Sequence, residues 1–264
     1  MTRSSGRMLA NGPLIAVLVS IVAVMFIYFG LPMKDDDQRQ IEKSRALNFE
    51  KVNVSLMLRE AKAELDEETR VYLAELEGTA RDDDELTENL KTLSREWFNR
   101  GEWILAGYYA EMVADVDSSA SSYAMAGNTY TIGMQRYQDE DLAEHAKRRA
   151  IRNYEKAISV DSEELEYRIN LAVTYAERPD KNNPMKGVMM LLDLEKNFPG
   201  DNRVQNTLAY YGLQTGQIEK ARQRLTEVLQ RDPDDQRANC LMARLMKQNG
   251  EAGYEEYEKK CNKN

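Results

Sequence analysis

The chain has 264 residues, 42% hydrophobic and 31% charged, a balance that excludes a disordered chain and a polytopic membrane protein. Its 14 glycines and 6 prolines are too few for a many-turned β fold and favour long helices. The formal net charge of −9 disfavours nucleic acid as the main partner, because phosphate binding needs a basic face.

The first predicted element is a membrane-spanning helix over residues 13–33. Between Arg7 and Lys34 the chain carries no charge, and residues 14–31 are almost entirely apolar. A helix of that length extends about 27 Å, close to the hydrocarbon thickness of a bilayer. Arginines precede the span and aspartates follow Lys34. This asymmetry predicts a cytoplasmic tail over residues 1–12 and a periplasmic location for the rest, on the far side of the inner (plasma) membrane.

A cleaved signal peptide is the competing interpretation of this segment. Against it, the apolar run is longer than a usual signal sequence and lacks a small-residue cleavage site. An uncleaved signal anchor is therefore favoured.

Residues 34–84 are predicted to form a polar tether followed by a leading helical segment. Apolar residues, Tyr72 among them, fall on one helical face between residues 58 and 76. Gly78 suits a helix end, and the acidic run 82–85 suits the positive end of the next helix. The segment either pairs with the following helix or forms a short coiled coil, and the sequence leaves both open.

A repeated pattern of small and large residues predicts paired helices over residues 85–264. In its clearest first half Gly127 precedes Tyr130, and in its clearest second half Ala150 precedes Tyr154. Equivalent small residues recur at intervals of about 34 residues, with about eleven extra residues inside the second unit.

This pattern resembles the tetratricopeptide repeat (TPR) family over residues 87–249. The resemblance implies an all-α solenoid of stacked helical hairpins, here preceded by one transmembrane helix. Small residues let neighbouring helices approach closely while aromatic rings fill the adjoining space, and each hairpin needs its neighbours to bury its apolar stripe. The residues that carry the resemblance include Gly127, Tyr130, Ala150, Tyr154, Ala172, Tyr175, Ala209, Ala221 and Pro233.

The second unit is expected to have longer helical arms than the others, because its extra residues fall between its two half-patterns. Tyr137 and Leu142 lie in this extension. We expect them to form a small hydrophobic contact that ties the two arms together.

In the TPR family, the first helix of each unit lines a groove that holds peptides or extended protein segments. By register, the resemblance assigns Lys91, Arg95, Phe98, Asn128, Thr131, Ile169, Val173, Arg203, Asn206, Tyr210, Arg237, Arg244 and Lys247 to a peptide-binding groove.

On these assignments the middle of the groove is apolar and its C-terminal end is basic. Arg237, Arg244 and Lys247 either attract an acidic segment or a carboxylate, or pair with the aspartates at 232–235 or face water. Both interpretations stay open. The carboxylate clamp of some family members is not reproduced, because Arg95 stands where an asparagine is expected.

Few side chains suit metal or redox chemistry. His145 lies in a highly charged stretch and is predicted to be a solvated surface residue. Cys240 and Cys261 flank a predicted turn, so antiparallel helices would bring them together as a disulfide, with free thiols as the alternative. We expect no metal, no cofactor and no catalytic residue.

The sequence therefore predicts a membrane-anchored TPR scaffold that binds extended segments of partner or client proteins in envelope assembly or secretion. The alternative is a TPR subunit that presents apocytochrome during cytochrome c maturation. An enzyme with an unrecognised site is disfavoured, because no catalytic constellation is found.

Overall fold

The computed structural model describes residues 52–78 and 80–262, and all of their regular structure is helical. The predicted tail 1–12, the membrane span 13–33 and most of the tether lie outside these residues. Within the described ranges no helix is long and apolar enough to cross a membrane. Twelve helices occupy the described ranges: α1 (Val54–Ala63), α2 (Glu67–Gly78), α3 (Asp83–Asn99), α4 (Trp103–Asp117), α5 (Ala120–Arg136), α6 (Glu140–Val160), α7 (Leu165–Glu177), α8 (Lys186–Asn197), α9 (Asn202–Gln214), α10 (Ile218–Arg231), α11 (Gln236–Gln248) and α12 (Tyr254–Cys261).

The helices from α3 to α12 pair in sequence as five hairpins, each packed on the next. The first helices α5, α7, α9 and α11 also contact one another in order, and so form a continuous row. The second helices α4 and α6 touch as well. This arrangement confirms the predicted all-α solenoid of helical hairpins.

Three of the hairpins turn at a glycine with a positive φ. Gly101, Gly216 and Gly250 have φ of 80°, 74° and 69°, in the left-handed region that other residues avoid. The residue after each glycine donates its N–H back into the last turn of the helix, which ends the helix and satisfies one of its free carbonyls. These bonds are Glu102 to Trp97 (3.0 Å), Gln217 to Gly212 (2.8 Å) and Glu251 to Met246 (2.9 Å).

Neighbouring helices approach closely where a glycine faces an aromatic ring or a backbone. A Cβ atom on Gly127 would lie 2.8 Å from the ring of the buried Tyr154, and one on Gly107 would lie 2.6 Å from that of Tyr130. At Gly187 the close approach is between backbones, because a Cβ would overlap the α7 chain at Ala172 and Ala176. A side chain at any of these glycines would therefore force the neighbouring helix or ring to shift.

The last two units replace a large residue of the repeat by a buried amide. Gln205 donates its Nε2 to the carbonyl of Pro199 at 3.2 Å, and Asn239 donates its Nδ2 to the carbonyl of Pro233 at 3.1 Å. Both side chains are almost fully buried. Each amide thus fixes the proline turn that precedes its own helix.

The leading helices α1 and α2 pack on the first hairpin, α1 against α4 and α2 against α3. This settles the choice between helix pairing and a coiled coil in favour of pairing. Leu73 is fully buried, whereas Tyr72, predicted on the apolar face, is 43% exposed. Glu77 accepts a hydrogen bond from the Tyr109 hydroxyl and pairs with Lys62, which joins both leading helices to α4.

The long arms of the second hairpin contact its neighbours as well as each other. The Tyr137 hydroxyl accepts a hydrogen bond from Ile104 N–H at 3.1 Å, and its ring meets Trp103 edge-on at 5.3 Å. Tyr137 therefore packs on the start of α4 in the preceding unit. The sequence predicted only a contact with Leu142 within the arms and did not predict this contact with α4. Towards the next unit, Lys147 pairs with Asp180 in the loop before α8.

His145 is buried, so the prediction of a solvated surface residue is wrong. It is only 6% exposed, because α6 turns this position inwards together with its alanines at 143 and 146. Burial, reinforced by the positive charges of Arg149 and Arg148, lowers the pKa of His145 to about 4. The imidazole is therefore neutral at neutral pH.

A methyl group at Gly187 is expected to destabilise the third hairpin. Gly187→Ala should lower the free energy of unfolding by about 1–3 kcal/mol, because two backbones must separate. Gly200→Ala is the matched control, since a Cβ there meets nothing within 4 Å. Urea unfolding measures both, and an equal effect of the two substitutions would contradict the packing described here.

Acid sensitivity should depend on His145. The folded-state pKa lies below the value of about 6.5 for a free histidine, so protonation favours the unfolded chain. The contribution of His145 to stability is complete above about pH 6.5 and is lost as the pH falls towards about 4.

We expect His145→Phe to reduce the loss of unfolding free energy between pH 7.5 and pH 5 by about 2 kcal/mol. Urea unfolding at the two pH values measures this difference. Identical pH slopes for the two chains would argue against the buried neutral imidazole.

Candidate protein-binding surface

The predicted groove residues lie on the first helices of the five hairpins, α3, α5, α7, α9 and α11. We call the side of these helices that carries Asn128 and Arg244 the inner-helix face. Both side chains are exposed. The repeat register alone assigned thirteen residues to this face, and the structure places them in different environments.

Two of the predicted groove residues, Ile169 and Asn206, are buried and do not line a groove. Ile169 is 3% exposed and packs in the cluster that includes Leu191 and Leu208. Asn206 is 2% exposed and donates its Nδ2 to Asp235 Oδ1 at 3.0 Å. Both predictions are wrong for the same reason, since consecutive first helices contact each other and enclose these positions.

The middle of the inner-helix face is polar, not apolar as predicted. Asn128 Oδ1 accepts hydrogen bonds from the Tyr154 hydroxyl at 2.6 Å and from Asn170 Nδ2 at 3.4 Å. The half-buried Thr131 hydroxyl lies 3.3 Å from the hydroxyls of Tyr154 and Thr174. Because its oxygen is occupied, Asn128 presents its NH2 group as a donor to a bound carbonyl.

The N-terminal part of the face mixes charge with exposed apolar surface. Lys91 is engaged by Glu88 at 2.8 Å, and Arg95 approaches the Thr92 hydroxyl at 3.4 Å. Phe98 is 38% exposed. In the third unit Val173 is half-buried.

At the C-terminal end, the basic residues differ in how far the fold engages them. Arg203 is bound by Asp201 and Glu164, both at 2.9 Å, and these hydrogen bonds raise its pKa above the ordinary value. Lys247 faces α12, with its ammonium 5.3 Å from the Tyr254 ring centroid and 3.5 Å from Glu258.

Arg237 and Arg244 are exposed and have no ion pair within the described part of the chain. The aspartates proposed as their partners are used elsewhere. Asp235 accepts from Asn206 and from the N–H of Ala238, and Asp234 pairs with Lys260 at 3.7 Å. The two arginines are therefore open to an anionic group.

Two tyrosines lie next to this basic end. Tyr210 is half-buried, and its ring meets that of Tyr211 edge-on at 5.1 Å. The Tyr211 hydroxyl donates to Glu177 at 2.8 Å, and burial together with this bond raises the pKa of Tyr211. The positive charge of Arg237 partly offsets this rise, because it lowers the pKa of Tyr211. The aromatic ring of Tyr211 thus lies near the exposed Arg237.

The terminal hairpin is closed covalently by a disulfide between Cys240 in α11 and Cys261 at the end of α12. Gln236 donates its Nε2 to the Cys261 carbonyl at 2.8 Å, and Lys260 donates to the carbonyl of Pro233 at 3.0 Å. Across residues 52–78 and 80–262, no group of three or more histidine, cysteine or acidic side chains is arranged to hold a metal ion.

No protein-family model matches the chain, and no curated protein matches it. Solved structures resemble it at low identity. The chain is 19% identical to PilF from Pseudomonas aeruginosa, with a TM-score of 0.44 over 68% of this chain and 76% of that one. For a thermophilic TPR protein of Thermus thermophilus the identity is 17% and the TM-score 0.49, over 65% and 84% of the two chains. For YrrB, a TPR protein with an unusual peptide-binding site, they are 15% and 0.36, over 66% and 83%.

The packing of the chain itself defines its class. Antiparallel hairpins stack in sequence, with Gly127 and Gly107 against the rings of Tyr154 and Tyr130. The described residues form an all-α, TPR-like helical solenoid.

The disulfide is expected to stabilise the terminal hairpin. Its two cysteines are 21 residues apart, and closing a loop of that size is worth about 3 kcal/mol in the unfolded chain. We expect Cys240→Ser/Cys261→Ser to lower the midpoint of urea unfolding, and a reductant to lower that of the native chain equally. The double variant is the control, because a reductant should leave it unchanged; a native chain insensitive to reductant would contradict this role.

Proposed function

We propose that the solenoid is a membrane-anchored scaffold that binds extended segments of partner or client proteins on the periplasmic side of the inner membrane. Such a scaffold would support the assembly or secretion of envelope proteins. The observation that carries the proposal is the inner-helix face, where the Asn128 NH2 group, Arg237 and Arg244 are exposed and not engaged by other described residues.

The chemistry of these groups fits an extended polypeptide. The Asn128 NH2 group is suited to a backbone carbonyl, and the arginines are suited to acidic side chains or a terminal carboxylate. A row of helices in contact offers such groups at successive positions, as an extended segment requires.

Two observations support placing the scaffold outside the cytoplasm. The apolar run 14–31 lies between basic residues and an acidic run, a charge order typical of an anchor with a cytoplasmic N-terminus. The Cys240–Cys261 disulfide suits an oxidising compartment, because cytoplasmic thiols are kept reduced.

A photoreactive amino acid at Met125, which is 60% exposed on α5, tests the inner-helix face in native membranes. We expect a discrete crosslinked protein, and a lower yield when Asn128→Asp removes the amide donor or Arg244→Glu reverses the charge. Asn128→Asp keeps the oxygens that accept from Tyr154 and Asn170.

The matched controls lie on α10, one of the second helices of the hairpins, which we call the outer helices. The photoreactive group at Gln230, exposed there, should give no such product, and Gln230→Glu should not change the yield at Met125. Equal crosslinking from both faces would contradict binding at the inner-helix face. Protease added to spheroplasts tests the location separately, and a fully protected solenoid would contradict a periplasmic site.

A further inference from the structure

The outer helix α8 carries an exposed apolar stripe. Met185, just before α8, is 53% exposed, Met189 is 60% exposed and Leu192 is 43% exposed. Spacings of four and three residues place these side chains on one helical face, and Lys196 continues the series. We call Met185, Met189, Leu192 and Lys196 the α8 seam.

Packing among the described residues does not account for this exposed apolar stripe. The opposite side of α8, with Gly187, Leu191 and Leu194, is buried in the solenoid, and α8 packs on α7 and α9. The seam therefore points away from the core. Methionine side chains adapt their shape to a partner surface, which suits exposed contact positions.

The next outer helix shows what these positions carry in an ordinary unit. In α10, Ala221 is the repeat equivalent of Gly187, and counting from it the seam positions are polar. They are Glu219, Gln223, Thr226 and Gln230, and all four side chains are exposed. The apolar stripe is therefore a property of α8 and not of the repeat.

The seam has the spacing of the apolar positions in a two-helix coiled coil, with Lys186 and Asp193 flanking it on the same side. In an antiparallel pair about a two-fold axis, Met189 meets Leu192 of the second copy, and Met185 meets the aliphatic stem of Lys196. The flanking Lys186 then faces Asp193 of the second copy, and the symmetry forms this pair twice.

The charges favour this arrangement over its alternatives. In a parallel pair the equivalent flanking positions of the two copies lie on opposite sides of the contact, so Lys186 would not meet Asp193. Asp193 is exposed and has no ion pair within the described part of the chain. Lys186 is half-buried, and its ammonium lies 3.5 Å from the centroid of the Tyr175 ring, which holds its positive charge on the α7 side of α8.

We propose that the α8 seam is a self-association surface through which two copies of this chain pair antiparallel. A helix of this length extends only about 18 Å, so the contact is smaller than the roughly 800 Å² per partner of a standard interface. The pair is therefore weak between free molecules and strengthened where both copies are held on one membrane. It leaves the inner-helix face of each copy available.

A cysteine at Met189 tests the proposal, because both native cysteines are bonded to each other and no other described cysteine is free. In native membranes we expect a short bismaleimide to join two Met189→Cys chains into a covalent dimer. Met125→Cys, on an equally exposed position of α5, is the control and should give no dimer.

Charge reversal tests the predicted register. In the Met189→Cys background, Lys186→Asp or Asp193→Lys alone should lower the dimer yield several-fold, and the two together should restore it. Replacing Met185 and Leu192 by the α10 residues Glu and Thr should also lower the yield, while thermal unfolding checks that the hairpin remains folded.

Three results would overturn self-association. They are no Met189→Cys dimer, an equal yield from Met125→Cys, and a double charge reversal that fails to restore the yield. A crosslink from Met189→Cys only to a different protein would assign the seam to another partner and also overturn the proposal.

Discussion

Helices of the solenoid approach most closely where Gly107, Gly127 or Gly187 in one helix meets a ring or a backbone in a neighbouring helix. Tyr130 covers Gly107 in the preceding hairpin, and Tyr154 covers Gly127 within its own. The glycine sets the distance between two helix axes, and the ring that fills the contact belongs to a later helix. Since no hairpin contains all of its own packing partners, the stability of each unit depends on its neighbours.

The second hairpin adds charged contacts to this apolar frame. Glu111 in α4 is 5% exposed and pairs with Arg149 in α6, while Lys147 and Asp180 join α6 to the loop before α8. Buried ion pairs contribute little net stability, but removing one partner is costly. The two ion pairs therefore oppose a shift of one hairpin along the next, because such a shift would separate the paired charges. The extra residues of the second unit thus serve three hairpins at once.

The fold was predictable from the sequence because the small and large residues that define a hairpin lie within one unit, as Gly127 and Tyr154 do. The environment of His145 was not, since its burial depends on how α6 sits among its neighbours, and its charged sequence context indicates solvent. Register assigned to the inner-helix face both Asn128, which is exposed, and Ile169, which the contact between consecutive first helices encloses. Asn170 was missed because its bond to Asn128 joins residues 42 apart in the sequence.

The position of the free arginines follows from how the repeat uses its carboxylates. Arg203 and Arg237 occupy equivalent positions of the last two first helices, and each lies two residues after the aspartate that caps its helix. Arg203 binds its own cap Asp201 and Glu164, which caps the preceding first helix.

The equivalent partners of Arg237 are already occupied. Asp201 is held by Arg203, and Asp235 accepts from Asn206 at 3.0 Å and from Asn202 at 3.3 Å. Within the described residues, the contacts that stabilise the row of first helices therefore leave Arg237 without an ion pair. A cation left exposed in this way costs the fold no buried charge, and it keeps its full attraction for an anionic segment.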